Sequence, residues 1–116
     1  MLMMQLKISG RSMAYKVQII DSAKAELDSI VEYFVKKLCN LNAAKSLLDD
    51  FYEQKSYLSE DPYTFPLCPI LGLQKKGYHR FLFKQNYVAI YLIDEDKKTV
   101  SIMHIFYAKR DYEKLI

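Results

Sequence analysis

The sequence predicts an α+β fold of order β-α-α-β(3-4), with a two-helix hairpin packed on an antiparallel sheet. Two observations carry this prediction. Residues 78–84, 87–93 and 99–107 are rich in Tyr, Phe, Val and Ile, which suit a half-buried pleated surface, and short polar breaks separate them. Breaks at Gln85-Asn86 and at 94–98 are short enough for hairpins, whereas parallel neighbours would need a crossover of about a dozen residues. Upstream of the meander, two segments repeat apolar residues at three- and four-residue spacing, the signature of helices that bury one face.

Taken in order, Tyr15, Val17 and Ile19 alternate with Lys16 and Gln18 and predict a first strand over 14–20. Asp21 and Ser22 are suited to cap a helix over 23–38, whose buried stripe is Leu27, Ile30, Val31, Phe34 and Leu38. Its other face carries Lys24, Asp28, Glu32 and Lys36, oppositely charged neighbours at i,i+4 that read as a solvated surface. After the break at 39–42, Asn42 is the expected cap of a second helix over 43–58, with Leu47, Phe51 and Leu58 inward. Asp49, Asp50 and Glu53 resemble an acidic metal cluster only on paper, since 49 and 50 point about 100° apart on a helix. Residues 59–72 hold all three prolines and predict an extended loop back to the sheet. A short extra strand is expected at 73–75, before a turn at Lys76-Gly77.

A chain of 116 residues that is 51% hydrophobic has material for one core, and residues 13–116 are read as a single domain. Residues 1–12 are expected to be a poorly ordered extension, with neither the apolar core of a signal peptide nor a membrane span. Charge is unevenly distributed. Residues 73–116 hold nine Lys or Arg and five acids, a balance of +4, which leaves −1 for residues 1–72 out of the total of +3. A basic sheet half suggests an anionic partner such as nucleic acid, although Lys97 and Lys98 are more simply solubilising residues at a hairpin tip. Cys39 and Cys68 are far apart, as are His79 and His104, so no zinc-ligand spacing exists; free thiols and a reducing compartment are the default.

Three segments carry a resemblance. They are YKVQIIDSAKAELDSIVEY at 15–33, GYHRFLFKQNYVAIYLID at 77–94 and IMHIFYAKRDYEKL at 102–115. In this order and spacing the chain resembles the RelE/ParE superfamily of toxins from type II toxin-antitoxin modules. The resemblance implies a cytoplasmic toxin held in check by a cognate antitoxin, with no cofactor and no metal. RelE-like members cut mRNA on the ribosome and typically carry Arg directly after the Tyr that opens the penultimate strand. Here Val88 follows Tyr87. Many ParE-like members, which act on DNA gyrase, have an aliphatic residue there and end the last strand in a His-Gly-x-Arg-Asp-like run; this chain has Tyr107-Ala108-Lys109-Arg110-Asp111. The resemblance therefore implies a toxin and leaves open ribosome-dependent endoribonuclease, gyrase poison or non-toxic relative.

RNA cleavage through the 2′-hydroxyl needs a group to accept that proton, cations for the phosphate and an acid for the leaving oxygen. Arg110, Lys109, Arg80 and Tyr112 are the candidate catalytic residues, with Lys75 and Lys76 as further cations and His79 and Tyr107 as further acid or base groups. Arg110 suits phosphate best, because its planar fork donates to two oxygens. Each has a plainer reading: Arg80 in a pair with a helix carboxylate, His79 and His104 structural, Tyr107 and Tyr112 packing. Antitoxin binding predicts an exposed apolar groove near the proline-rich loop, around Phe65, Leu67 and Ile70, or along the second helix.

Overall fold

The structure, a computed structural model, describes residues 14–116. The expected extension at 1–12 lies outside the described residues. Strand β1 (Lys16–Ile19) leads into helix α1 (Asp21–Glu32), which ends in a π-helical turn, Tyr33–Lys37. Helix α2 (Leu41–Ser56) returns antiparallel, and the short helix α3 (Leu71–Lys75) precedes strands β2 (His79–Phe83), β3 (Tyr87–Asp94) and β4 (Thr99–Tyr107). A 3₁₀ turn, Tyr112–Leu115, follows β4. No helix among these residues is long and apolar enough to cross a membrane.

Two helices pack on one face of a four-stranded sheet ordered β1-β4-β3-β2. The meander β2-β3-β4 is antiparallel as expected, but β1 lies parallel to β4, with Lys16 opposite Thr99 and Ile19 opposite Ile102, so the sheet is mixed. The helices themselves supply the long crossover that a parallel pair needs. On β4 the register slips at Met103: Ile90 faces His104 while Tyr91 faces Ile102. This inserted residue shifts the side-chain phase, so that Ile102 and Ile105 both face the helices.

Core packing divides along the sheet. Beneath the helices lie Leu27, Leu47, Phe51, Phe81, Phe83, Tyr91, Ile102 and Ile105, all buried. The other face is also apolar, so there are two cores where one was expected: Val88, Ile90 and Phe106 are buried under Cys68, Leu73 and Tyr112. The segment expected as a strand at 73–75 belongs to α3. A strand there would need a sheet edge, but Pro66 O and Cys68 N already take the β2 edge, bonding Arg80 N and Tyr78 O. A single helical turn instead drops Leu73 into the outer core and leaves Leu71 exposed. Gly72 lets the Glu113 carboxylate of the C-terminal turn lie close over α3, where a Cβ would meet Oε2 at 2.5 Å and make that side chain shift.

Both expected caps move. Helix α1 begins at Asp21 with no side-chain cap, and Ser22 Oγ donates instead to Met103 O (2.9 Å), tying the helix start to the bulge. Asn40, not Asn42, caps α2, its Oδ1 accepting from Ala43 N at 3.0 Å. The i,i+4 reading of α1 holds for Glu32 and Lys36, which pair at 2.9 Å. Asp50 is structural, since it accepts the backbone N–H of Lys84 at 2.6 Å and anchors the β2-β3 hairpin to α2.

Candidate functional site

Of the predicted site residues, the fold brings two into contact. Arg80 projects from β2 onto the outer face, where its Nη1 donates to the Tyr112 hydroxyl at 3.1 Å. Among the described residues no helix carboxylate pairs with it. Tyr112 is only 3% exposed and stacks on Phe106 at 5.7 Å between centroids. Burial raises its pKa, partly offset by the Arg80 guanidinium. This phenol closes the outer core, because the 3₁₀ turn that carries it folds back over the sheet.

Lys109 and Arg110 occupy the turn between β4 and that 3₁₀ segment, and both are exposed. Arg110 N donates to Tyr107 O at 3.0 Å, and the guanidinium lies 6.0 Å from the centre of the Phe106 ring, within reach of a weak cation–π contact. Lys75 and Lys76 are exposed at the end of α3. Neither they nor Lys109 and Arg110 form an ion pair among the described residues. Each histidine is engaged. His79 Nδ1 lies 2.9 Å from Phe65 O, with its ring stacked on Tyr91, while His104 Nδ1 lies 3.2 Å from Glu26. Glu26 also accepts Ile105 N at 2.9 Å, so its carboxylate covers the β4 edge that β1 leaves open.

The expected apolar groove is not assembled from the residues named for it. Phe65 packs into the helix-side core and Ile70 into the outer core, on opposite sides of the sheet, leaving Leu67 exposed. Two clusters were not read from the sequence. Glu95 accepts hydrogen bonds from Tyr15 (2.7 Å), Lys98 (2.8 Å) and Tyr63, joining the residue before β1 and the proline-rich loop to the β3-β4 hairpin. These donors hold its carboxyl at about 2. At the opposite end, Tyr33, Phe34, Tyr87 and Tyr107 form a run of edge-on ring contacts spaced 5.8–6.2 Å apart. Their signal lay in the ten tyrosines of the sequence, which composition alone assigns to packing.

The family described as the ParE toxin of the type II toxin-antitoxin system, parDE, matches residues 17–112. The chain belongs to the ParE toxin family. Among solved structures it is similar to the chromosomal ParDE TA system from P. aeruginosa, with a TM-score of 0.65 at 19% identity over 81% of this chain and 96% of that one. It is similar also to the archaeal RelE-RelB complex from Pyrococcus horikoshii OT3, with a TM-score of 0.53 at 17% identity over 84% and 99% of the two chains. At these identities the likeness speaks to the shared fold. No curated protein sequence matches the chain significantly. Val88, which follows Tyr87 at the start of β3, is fully buried, paired with Leu82 on one side and Phe106 on the other.

Proposed function

We propose that this chain is the toxin of a type II toxin-antitoxin pair in the cytoplasm, and that it poisons DNA gyrase by binding rather than by cutting RNA. One observation carries the reading. The outer face of the sheet, where a metal-free nuclease would gather its cations, is filled at Val88 and closed by Tyr112, whose hydroxyl is already bonded to Arg80. A general acid must reach the leaving oxygen, and a phenol 3% exposed does not. Lys109 and Arg110 are then contact residues for a protein surface. The cognate antitoxin keeps the toxin inactive by covering it.

Ribosome-dependent mRNA cleavage is the second reading, supported by the closeness of Arg80 to Tyr112 and, two residues before it, Arg110. The test is induction of the wild-type chain without antitoxin, followed by primer extension across abundant transcripts and by an SOS reporter. SOS induction with intact transcripts is the expected result, together with accumulation of gyrase cleavage complexes on supercoiled plasmid in vitro. Codon-positioned mRNA breaks without SOS would overturn it and return Arg110, Lys109, Arg80 and Tyr112 to catalytic candidacy. Normal growth would leave a non-toxic relative.

A further inference from the structure

The π-helical turn at the end of α1 seats Phe34 against the helix-side core and turns its other aromatic residue, Tyr33, outward. Such turns disturb the regular hydrogen-bond ladder and are rare, yet none of the five residues Tyr33–Lys37 is fully buried. The turn presents Tyr33, 52% exposed, beside Lys36 and Lys37. Tyr107, at the end of β4, is 45% exposed, and half-buried Tyr87 lies between the two. Ring contacts link them, Tyr33 to Phe34 at 6.1 Å, Phe34 to Tyr87 at 6.2 Å and Tyr87 to Tyr107 at 5.8 Å between centroids. Two clefts adjoin this cluster. One is lined by Ser29, Glu32, Tyr33 and Lys37, the other by Ser29, Ile30, Tyr107 and Arg110, so the two share Ser29 on α1 as a common wall.

Charge along these two clefts is mostly uncompensated. Lys36 is paired with Glu32, but Lys37, Lys109 and Arg110 have no ion-pair partner among the described residues. Glu26, the carboxylate lining the second cleft, is committed to Ile105 N and His104. Exposed rings between free cations match a strand whose phosphates alternate with stackable bases. A duplex offers no free base face along its length, and an acidic peptide would use the cations while leaving the rings idle.

We infer that the end of the molecule formed by the π-helical turn and the β4 terminus binds single-stranded nucleic acid, with bases on Tyr33 and Tyr107 and phosphates on Lys37, Lys109 and Arg110. The site reads no sequence, because its contacts are rings and charges. It shares Lys109 and Arg110 with the proposed gyrase contact, but it also rests on Tyr33, Tyr107 and Lys37, which that reading does not use.

The test is fluorescence anisotropy of the full-length chain with fluorescein-labelled 12-nucleotide oligo(dT) and oligo(U), titrated at several salt concentrations. Binding is expected to fall with salt at a log–log slope of about −2, the value for three phosphate contacts on a single strand. Tyr33→Ala and Tyr107→Ala each weaken binding about tenfold, and Lys37→Ala lowers the slope by about 0.7. Lys45→Ala, on the far helix, changes neither. The variants are exposed substitutions, and circular dichroism confirms their fold. No binding at low salt, equal binding of a 12-base-pair duplex, tyrosine variants that bind like wild type, or preference for a poly-glutamate peptide would each overturn the inference. Gyrase inhibition is read in a separate assay, so either result can fail alone.

Discussion

At the scale of single residues, the two polar ties that matter most have opposite settings. Arg80 and Tyr112 meet in a half-buried place, where removing the hydroxyl leaves a guanidinium short of an acceptor. Tyr112→Phe is expected to lower stability by about 1–2 kcal/mol in urea denaturation, while keeping the ring stack on Phe106. Glu95 is solvated, and its effect is visible as pH dependence. Lys98 above all, then Tyr63 and Tyr15, hold its folded pKa at about 2, below the ordinary value near 4.3. The unfolded chain therefore binds the proton more readily. Stability from this group is complete above the ordinary value and is lost as pH falls through it toward 2. Glu95→Gln is expected to flatten the fall in Tm between pH 5 and pH 2; an unchanged acid limb would show that the tyrosine and lysine donors contribute nothing through this carboxylate.

At the scale of elements, the sequence was most readable where structure is local. The meander lies within a residue of its expected bounds, because β-branched and aromatic runs with short polar breaks leave few alternatives. Both helices follow from their apolar stripes, except that Leu38, expected inward, is 48% exposed just past the π-helical turn. Misreadings occurred where a distant partner decides. Leu73-Gln74-Lys75 reads as a short strand, but the edge it needed was occupied from residues 66–68. Ser22 looks like a cap until β4 offers it Met103 O. Asn40 and Asn42 are alike in sequence, and only the backbone geometry at Asn40, with Cys39 at φ 49°, selects between them. Asn40→Ala should cost about 1 kcal/mol by thermal denaturation, and Asn42→Ala a few tenths at most. Of the candidate site, the charges and Tyr112 were readable as residues, but their separation into a closed face and an exposed turn was not. That division depends on the C-terminal turn folding back over the sheet.

At the scale of the whole molecule, the sheet is a partition with an apolar layer on each side, and the outer layer is the thinner. It rests on α3 and the last few residues, so it is the side most open to perturbation. Deletion of residues 111–116 removes Tyr112 and uncovers Phe106, Val88 and Ile90. The expected outcome is a loss of about 3 kcal/mol or more and enhanced binding of the dye ANS at native pH, with far-ultraviolet circular dichroism retained. Unchanged dye binding would mean that α3 alone covers the face. The parallel seating of β1 against β4 has a consequence of another kind, in the order of events during synthesis. Lys16 must find Thr99 across nearly the whole chain, whereas β2, β3 and β4 pair with near neighbours. Closing so long a loop is entropically costly until the meander exists to receive it. Of the described strands, the first to leave the ribosome is thus the last to dock, and the helix-side core stays open along one edge until β4 has emerged.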